Sequence, residues 1–228
     1  MLSIIIPCLD EAEGIAEALQ ALAPLRRRGS EVIVVDGGST DDTVARARPH
    51  ADLVIAAPRG RAAQMNAGAA RARGSILLFL HADCVPPAEA DALIVDGLNR
   101  TRRSWGRFDA RIAGPQPLLR VVERLMNLRS RLSGIATGDQ GIFVTCSLFT
   151  AVGGYPEIAL MEDVALTRRL KRFGAPLCLA HRIITSARRW ERNGVLRTVF
   201  LMWRLRLAYR LGADPARLAV RYDANRTG

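Results

Sequence analysis

Short apolar runs alternate with helical periodicity through the first hundred residues. Residues 2–7 (LSIIIP) and 31–36 (EVIVVD) are continuous and rich in β-branched side chains, the composition of strands buried on both faces. A helical pattern follows each. After the first, Ile15, Ala18, Leu19, Leu22 and Leu25 recur at helical spacing, with Pro24 and Gly29 marking the exit. After the second, Ser39 or Thr40 is placed to cap a helix with Asp41 and Asp42 in its first turn. The alternation continues through a strand at 52–56 (DLVIA), a helix over 61–72 and a strand at 75–80 (SILLFL). Strand-then-helix units in series predict a parallel sheet and an α/β fold. In such sheets the ligand crevice lies beyond the carboxyl ends of the strands, where Pro7 to Glu11, Asp36 to Ser39 and His81 to Asp83 fall.

The pattern then loosens. Ala90, Leu93, Ile94, Gly97 and Leu98 support a helix after Pro86 and Pro87, and residues 106–112 (GRFDARI) alternate as a strand with one exposed face would. A helix over 117–133, an apolar stretch at 141–146, a helix over 162–173 and a short strand at 176–180 complete the expected core. Residues 194–212 are strongly apolar but carry Arg197, Arg204, Arg206 and Arg210, too many charges for a membrane span. Packing against the core or against a second copy is one reading of this segment. Peripheral contact with a membrane, given its basic flank, is the other.

Length and composition narrow the class. A chain of 228 residues suits one domain with an extension, and 49% hydrophobic residues without low-complexity tracts argue against disorder. Thirty-three basic against 22 acidic residues give +11, with Lys171 the sole lysine, a field that favours anionic partners. Cys8, Cys84, Cys146 and Cys178 are far apart and show no zinc spacing, so buried free thiols are expected. The start MLSIIIP lacks a basic n-region, which suggests a cytoplasmic protein.

Three clusters could carry chemistry. Asp83 of His81-Ala82-Asp83 follows an apolar strand, and one such carboxylate together with a diphosphate can hold Mg²⁺ or Mn²⁺; turn chemistry is the plainer explanation. Glu162 and Asp163 open a helix, where acids cap, but one of them could instead serve as a general base. Gly60, Arg61 and Asn66 could meet a phosphate at a helix start. No Gly-Lys-Ser/Thr follows, and Asp-Gly-Gly-Ser is not a dinucleotide fingerprint, which weighs against an NTPase and a dehydrogenase.

Taken in order, SIIIPCLDEAEGI, VIVVDGGSTDDT, GRAAQMNAGAARARG, LLFLHAD, GDQGIFV, GGYPE, MEDVALTRRLKRFG and SARRWERNG resemble the family-two glycosyltransferases of the GT-A fold. Within them the chain is most similar to the small bacterial group associated with radical-SAM and selenodomain proteins. The resemblance implies a Rossmann-like, mainly parallel sheet flanked by helices over 1–193, with a nucleotide-binding half to about residue 100, an acceptor half after it, and a helical extension over 194–228 packed on the domain. It implies an inverting transfer from a nucleoside-diphosphate sugar, UDP favoured, to a small-molecule or lipid acceptor. Asp163, with Glu162 beside it, would be the base, and Asp83 the ligand of Mg²⁺ or Mn²⁺. Pro7, Leu9, Glu11, Asp36, Gly37, Arg61, Asn66, His81, Ala82, Asp139, Arg188 and Arg189 would contact substrate.

Three positions depart from the family pattern. Asp10 replaces an Asn, Gly37 replaces an acid associated with uracil selection, and His81 replaces the first acid of Asp-x-Asp. The competing readings are an inactive relative, or a basic protein that binds nucleic acid or a membrane surface. Bases interleaved with aromatics occur only over 188–210, so nucleic acid is not expected as a partner.

Overall fold

The computed structural model describes residues 1–224. The first part runs β1 (Leu2–Cys8), α1 (Ile15–Gln20), α2 (Ala23–Arg27), β2 (Glu31–Asp36), α3 (Thr43–Ala47), β3 (Leu53–Ala56), α4 (Arg61–Arg71), β4 (Ile76–Phe79), β5 (Cys84–Val85) and α5 (Ala90–Thr101). The second runs β6 (Trp105–Ile112), α6 (Pro117–Ser133), β7 (Ile142–Thr145), α7 (Cys146–Ala151), α8 (Glu162–Leu170), β8 (Leu177–Thr185), α9 (Arg188–Asn193), α10 (Val195–Arg210) and α11 (Pro215–Ala224).

The eight strands form one sheet in the order β3-β2-β1-β4-β7-β6-β8-β5. β1 to β4 pair in parallel, β7 is antiparallel to both β4 and β6, and β6 pairs in parallel with β8. Six strands therefore point their carboxyl ends at one edge. The chain moves outward from β1 through β2 to β3 and then returns to β4 on the other side, so the switch point lies between β1 and β4.

Burial on both faces explains the continuous apolar runs. On β1, Ile4 and Ile6 pack with Ile15, Leu19, Leu22 and Leu25, while Ile5 packs on the opposite face with Ala62 and Met65 of α4. A Cβ on Gly68 would lie 2.5 Å from Ile5 Cγ2, so only glycine lets α4 sit this close to the strand.

Four expectations need correction. The helix predicted to start at Ser39 or Thr40 starts at Thr43, because Asp36 and Asp10 capture those two residues in the preceding turn. β6 has no solvent face except at Arg111: α6 covers it, with Asn127 bonding Ala110 in both directions and Glu123 accepting from the Ile112 amide. Its polar residues are buried there as an Arg107–Asp109 pair extended by Arg131. The strand predicted at 176–180 continues to Thr185 along β6. All four thiols are free, but Cys146 and Cys178 are only half-buried.

The segment predicted over 194–212 is α10, followed by α11. Leu205, Leu218 and Tyr222 pack with Leu160, Met161 and Val164, and Val195 packs with Ile112, Leu119 and Ala187. Each fully buried leucine contributes roughly 1.5–3 kcal/mol. α10 does not bury its whole surface. Leu196, Phe200, Trp203, Leu207 and Leu211 stay exposed, as do Leu118, Val121, Leu125, Leu128 and Leu132 of the neighbouring α6. Residues 225–228 of the predicted extension lie outside the described residues. No helix among the described residues is long and apolar enough to cross a membrane.

Candidate active site

At the carboxyl edge of the sheet lies a crevice of about 760 Å³, within the size range of small-molecule sites. The end of β1 contributes Pro7, Leu9, Asp10 and Glu11, and the start of α4 contributes Arg59, Gly60, Arg61 and Gln64. The end of β4 brings His81, Ala82 and Asp83, and the segment after β8 brings Arg188, Arg189 and Trp190. These groups converge because the parallel strands end together. Trp190 also packs against the cluster that holds Val195, so its indole braces the C-terminal helices as well as the crevice.

Asp36, Gly37 and Asn66 do not line this crevice. Asp36 is saturated within its own turn: its carboxylate accepts from the Gly38 amide at 3.0 Å, the Ser39 amide at 3.1 Å and the Ser39 hydroxyl at 2.5 Å. Gly37 lies under Gln64, whose Nε2 donates to the Cys8 and Val35 carbonyls and ties β1 to β2. Asn66 holds a distant loop, donating to the Tyr155 carbonyl and accepting from the Tyr155 amide, both at 2.9 Å. Gln64 was legible only as part of a helix, because nothing local marks which carbonyls it will reach.

A smaller pocket of about 50 Å³ opens beside the crevice. Arg61, His81, Asp139, Glu162 and Arg189 border both, whereas Asp163, Met161, Met202 and Arg206 face only the smaller one. Asp163 Oδ2 accepts from the Gly138 amide at 2.9 Å and Oδ1 from its neighbour Val164 at 2.6 Å. An ionised carboxylate offers about four lone-pair sites, so acceptor capacity remains toward the pocket. Glu162 is buried, and that burial, with the charge of Asp163 next, raises its carboxyl above the usual range against the pull of Arg61 and His81.

Met161, which precedes this pair, adopts a left-handed conformation with φ of 69°, strain on the order of 1–3 kcal/mol for a non-glycine residue. Packing against Leu205, Leu218 and Tyr222 holds it there. The C-terminal helices thus pack directly on the residue that precedes the carboxylate pair.

His81 and Asp139 form the bridge between crevice and pocket. His81 Nδ1 lies 3.3 Å from Asp139 Oδ1. A Cβ on Gly138 would overlap the imidazole, so glycine is required where the ring closes over the backbone. Burial works to raise Asp139, but the contact with His81 and the charges of Arg189 and Arg61 outweigh it and hold the carboxyl below its usual range. With 40% of the Asp139 side chain in solvent, this pairing is partly screened.

His81, Asp83 and Cys84 offer ligand atoms within 4.8 Å of one another. Burial and the neighbouring Asp83 push the Cys84 thiol well above its ordinary value, and it donates to Asp83 Oδ1 at 3.5 Å. A protonated thiol is no ligand for a hard cation. The carboxylate of Asp83, with the imidazole beside it and room for water and phosphate oxygens, fits Mg²⁺ or Mn²⁺.

The family model for glycosyl transferase family 2 matches residues 3–151, more than half of the chain. The chain belongs to this family, and its curled, mainly parallel sheet flanked by helices is the GT-A fold. Among curated relatives, glycosyltransferase AglE of Haloferax volcanii is 38% identical over 93 residues, 37% of this chain and 31% of the relative. The matched segment thus spans about a third of that relative's length. Among solved structures, S. aureus TarS 1–349 in complex with UDP-GlcNAc aligns with a TM-score of 0.65 and 20% identity, over 81% of this chain and 58% of that one. The mannosyltransferase PcManGT of Pyrobaculum calidifontis, in complex with GDP-Man and Mn²⁺, aligns with a TM-score of 0.65 and 21% identity, over 94% of this chain and 66% of that one.

Proposed function

We propose that the protein is an inverting, metal-dependent glycosyltransferase that moves a sugar from a UDP-sugar to a small-molecule or lipid acceptor. The observation that carries this reading is the meeting of Asp83 and Glu162 in one crevice, with Asp163 in the pocket that opens beside it, in a chain of family 2. Pro7, Leu9 and Glu11 line the end where base and ribose would lie, and Arg61, Arg188 and Arg189 supply cations for the diphosphate. A divalent cation held by Asp83 and His81 would neutralise charge on the departing diphosphate.

Asp163 takes the proton from the acceptor hydroxyl. As that oxygen bonds to the anomeric carbon, the bond from this carbon to the diphosphate oxygen breaks, and the nucleotide leaves with the electron pair. Attack opposite the leaving group inverts the configuration. Asp163 suits the base role better than Glu162 because it faces only the smaller pocket, on the acceptor side, while Glu162 sits at the junction with the donor.

The eight motifs from SIIIPCLDEAEGI to SARRWERNG, taken together and in order, support membership of the group associated with radical-SAM and selenodomain proteins. We place the protein in the cytoplasm, with α6 and α10 resting on an anionic membrane surface. Each helix leaves one apolar stripe, and the exposed Arg124, Arg204 and Arg210 supply complementary charge. Cosedimentation with anionic but not neutral vesicles is expected. Self-association without vesicle binding would assign the face to a second copy instead.

Thermal shifts with UDP, GDP, CMP, TDP and ADP, each with and without Mn²⁺, test the donor reading. UDP with Mn²⁺ should raise the melting temperature through mass action, and Asp83→Ala should weaken the metal-dependent part at least about tenfold. No shift with any nucleotide in a folded sample would reject the transferase reading.

A further inference from the structure

Arg206, which lines the smaller pocket, and Arg129, near enough to feel its charge, differ from other buried cations of the chain. Arg107 pairs with Asp109, and Arg189 stacks over the Tyr222 ring at 5.0 Å. Arg206 of α10 and Arg129 of α6 make no ion pair among the described residues. Arg206 Nε and Arg129 Nε and Nη2 are buried without a hydrogen-bond partner. Burial, followed by the charge of Arg206, pushes Arg129 down to about 10, and burial lowers Arg206 as well. Asp163 acts on both electrostatically, but its oxygens already accept the Gly138 and Val164 amides.

Two neighbouring guanidiniums with orphaned N–H groups are costly to fold around unless a ligand satisfies them. The space that Arg206 borders indicates the ligand's size. At about 50 Å³ the pocket has room for roughly four water-sized groups, which matches a tetrahedral oxyanion and not a sugar ring. Charge selects among oxyanions: a phosphate monoester carries close to two negative charges at neutral pH and offsets both arginines, whereas a carboxylate offsets one. The donor's diphosphate does not compete for this role, since Arg206 is absent from the wider crevice.

We propose that Arg206, backed by Arg129, forms a phosphate subsite that anchors the acceptor beside Asp163. The acceptor is then a phosphate ester whose hydroxyl is presented to the base. This inference rests on the transferase reading, because it takes Asp163 as the acceptor-side base.

The test is calorimetric titration of the full chain with inorganic phosphate, alone and saturated with UDP and Mn²⁺. Phosphate should bind in both conditions, and Arg206→Met and Arg129→Met should each weaken it at least about tenfold. Arg217→Met on the exposed face of α11 should leave it unchanged. The melting temperature of Arg206→Met should hold or rise, because an uncompensated buried charge is removed; a merely structural arginine would lower it. Should that variant fail to fold, Arg206→Gln reads the same loss of phosphate binding. Unchanged phosphate affinity in the Arg206 variant, or displacement of phosphate by UDP, would overturn the subsite. Arg206-dependent phosphate binding without any nucleotide binding would uphold the subsite and reject the transferase reading alone. Competition by glycerol 3-phosphate assigns the group to a soluble acceptor. Competition by phosphatidylcholine vesicles containing phosphatidic acid, but not by phosphatidylcholine alone, assigns it to a lipid headgroup. Competition by neither would reduce the site to an adventitious ion and overturn the proposal.

Discussion

The proposed donor wall of the crevice is assembled from the ends of successive βα units, each a few residues from the strand that places it. The proposed acceptor wall joins segments far apart in the chain: Thr137 to Asp139 before β7, Leu160 to Val164 at the start of α8, and Met202, Arg206 and Tyr222 of the C-terminal helices. The two walls also differ in how their charges are satisfied. On the donor side Arg188 meets Glu11, and Asp36 is saturated by its own turn. On the acceptor side Arg206 and Arg129 retain unpartnered nitrogens, and Glu162 is buried beside Asp163. A shared sheet edge suffices to build the wider crevice, whereas the smaller pocket depends on helices that pack onto it from outside. Under the proposed function, specificity for the acceptor would be carried by the part of the molecule with the least local constraint.

The sharpest way to break this division is Asp163→Asn. Loss of the base should reduce transfer by about 10²–10⁴-fold while UDP binding in the thermal-shift assay stays within about twofold. Equal loss of both would merge the two walls into one functional unit.

Leu205→Ala tests whether the C-terminal helices position the carboxylate pair. The side chain is 2% exposed, and its truncation should cost about 2–5 kcal/mol in denaturant unfolding. At temperatures where the variant remains folded, transfer should fall more than UDP binding, because Met161 loses the packing that holds its left-handed backbone. A proportionate fall in both would show that the helices stabilise the whole domain without orienting the pair.

The smallest expected effect is a pH dependence. Glu162 titrates above its usual range in the folded protein, so its contribution to stability is present below the ordinary glutamate value and is lost as pH rises through the raised one. Glu162→Gln should melt higher than the parent chain at pH 8, with the advantage vanishing as the medium approaches pH 4. Asp139 has the opposite sign: its contribution is present above the ordinary aspartate value and is lost as pH falls through the lowered one. Replacing it with Asn should lower the melting temperature at neutral pH but not in acid.

The amino-acid sequence alone determined the first four strands and α4 to within a residue or so, since a strand covered on both faces needs an unbroken apolar run and the fold repeats that unit. It also marked the strand ends, so His81, Asp83, Arg61 and the Glu162–Asp163 pair were all legible as polar residues where the periodicity stops. What local pattern could not reveal is which polar residues face a ligand and which hold the chain. Asp36 and Asn66 are legible in one dimension only as polar residues near the rim, and the partners they hold, an adjoining turn and a loop 89 positions away, are not. The alternation of β6 implied a wet face because nothing in that strand announces that α6 will cover it. Arg129 and Arg206 are ordinary arginines on apolar helices until α6 and α10 come together beside α8. Only the tertiary structure decided these roles, because periodicity records the face a residue occupies on its own element, whereas burial, pairing and the absence of a partner depend on what another segment brings to that face.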